Sequence, residues 1–281
     1  MECVDYYVSG ETFSLMECKK CGFLFTQHFP DEKEIAPYYE TPDYISHTNT
    51  KKGIVNFLYH QVRLRMLKRK VGLIQQITGR KQGRILDIGA GTGYFPYTMK
   101  NKGWEVEAIE KNPQARLFAK ENFSLDLKDE TALEDFADKS FDVITLWHVM
   151  EHLQPINETW HQLQRLLDDK GILVVAVPNC SSYDAQKYGA YWAAYDTPRH
   201  LWHFTPDTIQ QFGAKHGFIL FAHYPMPYDG FYVSMLSEKY KKNNFPFFRG
   251  VVSGTMGWFH TQVKKERSSS IIYIFRKKNN G

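Results

Sequence analysis

The feature that most constrains this chain is a short apolar run followed by alternating glycines, RILDIGAGTGYF at residues 84–95. The apolar run predicts a buried strand, and Gly89, Gly91 and Gly93 predict a turn in which no Cβ obstructs an approaching ligand. A strand–glycine turn–helix junction presents free backbone N–H groups at the carboxyl end of the strand, which suits a nucleotide-like ligand. The sequence therefore predicts an α/β fold with a nucleotide-type site at this turn.

The glycine spacing differs from the dinucleotide fingerprint G-x-G-x-x-G. Counted from Gly89 the last glycine position is Tyr94, and counted from Gly91 it is Pro96. The pattern present is Asp-x-Gly-x-Gly-x-Gly, beginning at Asp87. A carboxylate beside the turn suits a ligand that carries a positive group and need not carry a pyrophosphate. An NAD(P)-dependent oxidoreductase on a Rossmann-like sheet is therefore only the alternative.

This stretch resembles motif I of the class I S-adenosylmethionine (SAM) methyltransferases, in which the glycine loop holds the amino-acid end and ribose of SAM. FD at 141–142, EHL at 151–153 and GILVVAVPN at 171–179 extend the likeness. Together they resemble the type 11/23 methyltransferase group, which includes the ubiquinone-biosynthesis O-methyltransferases. The resemblance covers residues 83–222. It implies SAM as the cofactor, with these cofactor-binding residues: Asp87, Gly89, Ala90, Gly91, Gly93, Tyr94, Glu110, Lys111, Trp147 and His148.

Strand and helix patterns alternate after the glycine turn, which predicts a doubly wound, mostly parallel sheet. The second strand ends in Glu110, about 20 residues past the glycines, where nucleotide folds place an acid that binds the ribose hydroxyls. Further strands are expected at 122–127, 140–146, 171–177, 218–223 and 271–276. We expect an α/β, seven-stranded, Rossmann-like SAM methyltransferase fold; the resemblance implies that its last strand is antiparallel.

The fourth strand is followed by His148, Glu151 and His152, which share one helical face because they are spaced i, i+3 and i+4. A His–Glu pair can act as acid and base near neutral pH. The set can also hold a divalent metal, completed by His200 or His203. The resemblance to the Glu-x-x-Glu-His metal motif of small-RNA 3′-end methyltransferases supports this, although nitrogen at the first position disfavours Mg²⁺. A structural brace beneath the cofactor is the third alternative.

A long aromatic segment at 181–205 lies beyond the carboxyl ends of the strands, so we expect it to roof the reacting methyl group. Arg199 is a candidate clamp for a substrate carboxylate or phosphate, with an ion pair to Asp196 as the alternative. Its aromatic residues Trp192, Tyr195 and Trp202 can stack on a substrate or pack the lid. The candidate catalytic residues are His148, Glu151, His152, Arg199 and His200.

Three cysteines near the start, Cys3, Cys18 and Cys21, include a C-x-x-C-G knuckle between alternating apolar residues. The segment resembles the N-terminal zinc ribbon of some bacterial methyltransferases, which has two C-x-x-C pairs. One cysteine is missing, so a tetrahedral zinc site would need Glu2, Asp5 or His28 as its fourth ligand. A degenerate hairpin without metal is the alternative.

These patterns divide the chain into a zinc-ribbon-like hairpin (1–30), a linker with a basic amphipathic helix (31–80) and a SAM-binding methyltransferase domain (81–281). The last contains the lid at 181–205 and a partly helical insertion at 224–268. The helix is expected near 54–77, and its basic face carries Arg63, Arg65, Lys68, Arg69 and Lys70. We expect that face to be solvated; peripheral contact with an anionic membrane is the alternative.

The composition is that of an ordinary globular protein, with 43% hydrophobic residues and a net charge of +4. This charge is too small to imply a nucleic-acid partner by itself. No apolar run is long enough to span a membrane and the start lacks a signal-peptide layout, so a cytoplasmic location is expected.

The function predicted from these features is SAM-dependent methyl transfer to a small-molecule acceptor, most favourably at oxygen. A saccharide-linked or lipid-linked acceptor is compatible with the basic helix and the aromatic insertion. A non-enzymatic binding module with a vestigial SAM fold is disfavoured by the intact glycine loop and Glu110.

Overall fold

The computed structural model describes residues 1–39, 54–226 and 228–278, and most of these residues lie in a layered α/β arrangement. The strands are β1 (Glu2–Val4), β2 (Thr12–Glu17), β3 (Leu24–Thr26), β4 (Arg84–Ile88), β5 (Glu105–Ile109), β6 (Phe141–Trp147), β7 (Leu167–Pro178), β8 (Trp202–His203), β9 (Phe218–Pro225) and β10 (Ser270–Lys277). The α-helices are α1 (Ile54–Thr78), α2 (Tyr94–Lys100), α3 (Pro113–Phe123), α4 (Ile156–Leu166), α5 (Tyr183–Tyr188), α6 (Pro206–Lys215), α7 (Asp229–Tyr240) and α8 (Pro246–Val263). Of the predicted linker, residues 40–53 lie outside the described ranges.

The main sheet has the strand order β5-β4-β6-β7-β10-β9. Strands β5, β4, β6 and β7 are parallel, while β10 runs antiparallel to both β7 and β9. This arrangement confirms the predicted doubly wound, mostly parallel fold and its antiparallel last strand.

The third of the seven predicted strands, at 122–127, is not a regular strand. Helix α3 runs to Phe123 and is capped by Ser124 in a left-handed conformation, so only a few residues remain before the sheet edge. Lys128 then makes a single parallel bridge to Ile109. The main sheet in the described residues therefore has six regular strands, because the helix takes the start of the segment expected to form the seventh.

Apolar side chains cover both faces of the sheet, as expected for a buried parallel sheet. On one face Val71 and Ile74 of α1 and Met99 of α2 pack in one core cluster. On the other face Trp160 of α4 and Ile209 of α6 belong to a second cluster. The two layers fix the strands, and their carboxyl ends share one edge of the sheet.

The N-terminal hairpin and the lid are parts of one small sheet, in the order β1-β2-β3-β8. Its last pairing joins Leu24 to His203 and Phe25 to Trp202. The predicted lid at 181–205 is thus not a simple loop: it contains α5, two 3₁₀ turns and β8. The sheet ties the start of the chain to the segment above the strand ends.

The insertion at 224–268 is dominated by α7 and α8, which pack closely against each other. A Cβ on Gly250 would lie 2.5 Å from the Cα of Met235, and one on Gly254 would lie 2.8 Å from the Cα of Phe231. Glycine is therefore required where the two helices cross. Among the described helices, none has the length and apolar character needed to cross a membrane.

Candidate active site

Three parallel strands end side by side at the carboxyl edge and deliver the predicted site residues to one place. Strand β4 leads into the glycine loop, neighbouring β5 into Glu110, and neighbouring β6 into His148. This edge is where ligands bind in open α/β sheets.

The glycine loop combines one crowded position with one open position. Gly89 has φ +72° and its Cβ would lie 2.2 Å from Val149, so no side chain fits there. Gly91 has φ +54° and nothing lies within 4 Å of its Cβ position. The loop is closed against β5 by hydrogen bonds from the N–H groups of Gly89 and Ala90 to Ile109 O, at 2.8 and 2.9 Å. The open side at Gly91 is a cradle into which a ligand can approach the backbone.

Glu110 reaches across the cradle. Its carboxylate accepts hydrogen bonds from the N–H of Gly91 at 2.7 Å and from the N–H of Asn112 at 2.9 Å. Arg116 holds the turn beneath it by donating to the carbonyls of Glu110 and Lys111. The acid predicted to bind ribose hydroxyls therefore lies directly beside the glycine loop.

Asp87 is a buried carboxylate, 1% exposed, under the loop. Burial raises its pKa to about 7, although Thr145 donates a hydrogen bond to it at 2.5 Å. Burial also lowers the pKa of Lys70 to about 8, against the attraction of Asp87 and Asp229. Part of the basic face of α1 thus points into the site instead of into solvent, which sequence reasoning missed.

Trp147 forms the wall next to these charges. The ammonium of Lys70 lies 4.1 Å from the Trp147 ring centroid, and Phe95 packs edge-on against the indole. The indole N–H is buried and has no acceptor among the described residues. It is therefore free to donate to a bound ligand.

The remaining predicted cofactor residues line the rim. Tyr94 begins α2, and its ring packs against Phe123 at 4.9 Å. A Cβ on Gly93 would lie 2.9 Å from Ala119, so this glycine allows α2 and α3 to approach. Lys111 is exposed and bridges Glu32 and Glu130, at 3.5 and 3.4 Å.

His148 is held between two carboxylates. Its Nε2 lies 3.1 Å from Asp229, and its Nδ1 lies 3.4 Å from Glu151. Burial opposes the charged ring, but the two carboxylates outweigh it and raise the pKa of His148 to about 10. The ring is therefore an imidazolium at neutral pH and cannot accept a proton in this arrangement. Asp229, at the first residue of α7, gave no signal in the sequence.

Glu151, His152 and His200 form a second group deeper in the site. One ligand atom from each lies within 4.8 Å of the others, which could hold a metal ion. Nδ1 of His152 lies 3.0 Å from the carbonyl of Arg199, and Nδ1 of His200 lies 2.8 Å from the carbonyl of Ala194. Because a carbonyl only accepts, we place the proton on Nδ1 in both rings, which leaves Nε2 with a lone pair.

The chemistry of this group is consistent with a cation. Glu151 is 1% exposed, and neither of its carboxylate oxygens has a hydrogen-bond partner in the described residues. Burial, together with His200, lowers the pKa of His152 to about 4 and keeps that ring neutral. His203, the other predicted completing ligand, instead lies 3.0 Å from Thr26 in the small sheet.

Arg199 makes four hydrogen bonds within the protein. It donates to Asp196 twice, to Asp5 at 2.9 Å and to the carbonyl of Tyr38 at 3.0 Å. Its side chain is 4% exposed and that of Asp5 is 0% exposed. This geometry favours the structural alternative, an ion pair with Asp196, over a substrate clamp.

The aromatic residues of the lid are engaged inside it. Trp192 and Tyr195 are buried, and the indole N–H of Trp192 donates to Asp184 at 2.8 Å. Trp202 donates to the carbonyl of Leu153 at 2.7 Å. These contacts favour lid packing over stacking on a substrate.

The three predicted zinc ligands do not converge in the structure. Cys3 is 2% exposed in an apolar cluster with Leu15, and burial raises the pKa of its thiol to about 12. Cys18 and Cys21 lie on the turn between β2 and β3. Among the described residues, the Glu151 group is the one set that could hold a metal. Zinc at the cysteines stays a prediction.

The fold and the site define the class. A glycine loop after the first strand of a doubly wound sheet, with an acid at the end of the next strand, is the arrangement expected of a class I SAM methyltransferase. A family model described as "Methyltransferase domain" matches residues 59–222. This chain belongs to that methyltransferase-domain family.

Relatives in sequence carry methyltransferase names. An uncharacterized methyltransferase of Staphylococcus carnosus is 26% identical over 138 residues, which cover 48% of this chain and 65% of that protein. The mitochondrial ubiquinone biosynthesis O-methyltransferase of Schizosaccharomyces pombe is 31% identical over 101 residues, covering 33% of this chain and 37% of that protein. The matches thus span less than two thirds of these relatives.

Solved structures share the fold at low sequence identity. The 1,6-didemethyltoxoflavin-N1-methyltransferase of Burkholderia thailandensis, solved with S-adenosylhomocysteine, matches with a TM-score of 0.53 and 13% identity over 98% of both chains. A putative sarcosine dimethylglycine methyltransferase of Galdieria sulphuraria matches with a TM-score of 0.52 and 15% identity, over 77% of this chain and 86% of that one. These matches confirm the predicted Rossmann-like SAM methyltransferase fold.

Proposed function

We propose that this protein transfers a methyl group from SAM to a hydroxyl oxygen of a small-molecule acceptor. The observation that carries the proposal is the open cradle at Gly91 with the Glu110 carboxylate beside it. A ribose accepts and donates hydrogen bonds to such a carboxylate, and the amino-acid end of SAM suits the polar pocket of Asp87, Lys70 and the Trp147 N–H. The ubiquinone-biosynthesis O-methyltransferase among the relatives supports oxygen as the acceptor atom.

Bound SAM supplies an activated methyl group, so the protein's own task is to orient the acceptor, exclude water and remove a proton. His148 is placed for proton removal at the end of β6. When an acceptor hydroxyl replaces Asp229 at Nε2, one of the two carboxylates that raise the pKa of His148 is removed. Glu151 then holds Nδ1–H and leaves Nε2 to accept the proton, as in other His–carboxylate pairs.

A divalent cation at Glu151, His152 and His200 is the second candidate for this site. The orphaned oxygens of Glu151 and the two neutral imidazole nitrogens fit zinc, manganese or iron better than Mg²⁺. When bound, such a cation would supply Lewis-acid activation of an acceptor hydroxyl. Metal analysis of the purified protein decides this: one equivalent that is lost in His200→Ala, with the secondary structure retained, supports it. Protein loaded with these metals and still free of them after gel filtration contradicts it.

The test of cofactor binding uses two glycines that differ only in position. Gly91 and Gly103 both have positive φ with nothing within 4 Å of the Cβ position, but Gly103 lies after α2, away from the cradle. Gly91→Ala should weaken SAM binding measured by calorimetry by roughly tenfold or more, because the methyl group fills the ligand's approach. Gly103→Ala carries similar backbone strain and should bind SAM as wild type does. Equal affinities in both variants would remove the pocket from this loop.

The acceptor is then sought by following SAM consumption across hydroxyl-bearing compounds: phenols, sugars and lipid intermediates. Methylated product from a hydroxyl acceptor supports the proposal. Turnover only with amines would leave the methyltransferase assignment intact and overturn the choice of oxygen.

A further inference from the structure

Helix α8 exposes an apolar face. Nine large apolar side chains between residues 245 and 263 are exposed, more than in any other segment of similar length in the described residues. They are Phe245, Phe247, Phe248, Val251, Val252, Met256, Trp258, Phe259 and Val263. Val263 is 90% exposed and Phe245 is 80% exposed. A contiguous apolar surface of this kind marks an interaction site.

The helix is inverted relative to an ordinary surface helix. Its small residues Gly250, Ser253, Gly254 and Thr261 are buried, facing the protein body, while its rings point away from it. A surface helix of a water-soluble protein normally buries its apolar stripe and exposes its polar one. The outward side of α8 therefore matches an apolar environment better than water.

The surroundings of this face are strongly basic. The 27 residues from 239 to 265 contain five Lys and one Arg and no Asp or Glu. Lys241 and Lys242 are exposed before the helix, and Lys264 and Lys265 are exposed after it. The adjacent Glu238 is buried and already accepts from Arg249 and Asn243. The apolar face thus has exposed cations at both of its ends.

We propose that the outward face of α8 docks the protein onto an anionic lipid bilayer. An apolar helix face with Trp and Phe, flanked by Lys and Arg, lies in the membrane interface with its rings among the acyl chains and its cations at the anionic headgroups. A second copy of the chain fits this surface less well. A two-fold contact presents the same patch from both subunits, so each basic end would meet further basic residues.

The docked helix is connected to the candidate active site. Tyr183 of α5, in the lid, stacks on His260 of α8 with ring centroids 4.4 Å apart. Helix α7, which packs on α8, begins at Asp229, the partner of His148. Docking would therefore bring the lid and the start of α7 close to the bilayer, although the docking itself does not depend on the proposed reaction.

The experiment is vesicle flotation of the full-length protein with phosphatidylcholine vesicles and with mixed phosphatidylcholine–phosphatidylglycerol vesicles. The wild type should float with the mixed vesicles, far less with phosphatidylcholine alone, and less at high salt. The triple variant Phe247→Ser, Phe248→Ser, Phe259→Ser should lower the bound fraction at least roughly tenfold. The matched control is Leu117→Ser with Ile219→Ser, which removes apolar residues 55% and 53% exposed elsewhere and should float as wild type does.

A second reading of the same samples separates the other occupants. SAM binding and the unfolding temperature should be unchanged in the triple variant, which shows that it is folded. A wild type that stays with the unbound fraction, or a triple variant that floats equally well, overturns the proposal. Sedimentation showing a wild-type dimer that the triple variant turns into a monomer, without flotation, would assign the face to a second copy.

Discussion

At the scale of single residues, Asp87 shows how the site stores free energy for its ligand. The carboxylate is buried, accepts one side-chain hydrogen bond from Thr145, and has a pKa raised to about 7 by burial. An ionised group in this position destabilises the protein when no cofactor is bound. A bound ligand with an amino group or a sulfonium offsets that cost, so part of the binding free energy comes from relieving it.

Replacing Asp87 with Asn should therefore stabilise the cofactor-free protein and weaken SAM binding. The folded-state pKa lies above the ordinary value of 3.8, so wild-type stability falls as the pH rises from about 4 to 7. At pH 8 the variant should exceed wild type by about 1–3 kcal/mol, and the difference should vanish below about pH 4. SAM affinity should fall roughly tenfold to a hundredfold with the lost charge.

Urea unfolding at several pH values and calorimetry with SAM measure both quantities. The exposed acid Asp126 provides the control, because Asp126→Asn should change neither. A less stable Asp87→Asn at pH 8 would show that the carboxylate is held by contacts that outweigh its burial.

His148→Ala tests the proton-handling role. If Nε2 takes the acceptor's proton, turnover should fall by roughly 10²–10⁴-fold while SAM affinity stays near wild type, since general-base contributions are of that size. Steady-state kinetics with an identified acceptor and calorimetry with SAM provide the two numbers. Wild-type turnover would assign His148 to a brace between Asp229 and Glu151.

Residue-level prediction from the sequence had a clear limit. Gly91 and Glu110 could be placed together because strand, turn and acid follow one another at a fixed spacing. Lys70 and Asp229 could not, because they reach the site from α1 and α7, distant elements whose packing no local pattern encodes. The position of Arg199 was predicted as open between two roles for the same reason: its partner Asp5 lies almost two hundred residues earlier.

At the scale of elements, patterns with both start and stop signals were predicted well. Thr205 caps α6 with a capping box, and the expected bounds at Pro206 and Lys215 are confirmed. The third strand was wrong because Leu125 and Leu127 fit a strand pattern but instead pack against Ala119 of α3. The lid was underestimated because β8 exists only through pairing with β3, which lies far away in sequence.

The contact between the lid and the N-terminal segment should be a strong stabilising element. Arg199→Met leaves Asp5 buried without its cationic partner, so the free energy of unfolding should fall by about 3–5 kcal/mol. Adding Asp5→Asn to the same variant should recover part of the loss, because no unpaired charge then remains. Urea denaturation measures both.

The control for that comparison is an exposed ion pair. Lys139 and Asp169 lie 2.6 Å apart with side chains 56% and 60% exposed, so Lys139→Met should change stability by less than about 1 kcal/mol. A small effect of Arg199→Met, comparable to this control, would mean that Arg199 does not tie the two segments together.

At the scale of the whole molecule, the N-terminal hairpin and the methyltransferase domain share a sheet. Strand β3 pairs with β8 of the lid, and Thr26 donates to the carbonyl of His200 at 2.7 Å. The hairpin therefore holds the lid in place above the strand ends, whether or not its cysteines bind zinc. This gives the segment a structural role that its incomplete cysteine pattern did not indicate.

Deleting residues 1–30 should accordingly release the lid and leave the main sheet folded. Arg199 is 4% exposed in the intact protein because Asp5 and Tyr38 surround it, so brief trypsin treatment should cut after Arg199 only in the deleted protein. SAM binding should persist, since the glycine loop and Glu110 rest on β4 and β5, while turnover should be lost with the lid. Mass spectrometry of the fragments and calorimetry with SAM test the two halves of this expectation. A deleted protein that resists cleavage at Arg199 and keeps its turnover would show that the lid is held by the main domain alone.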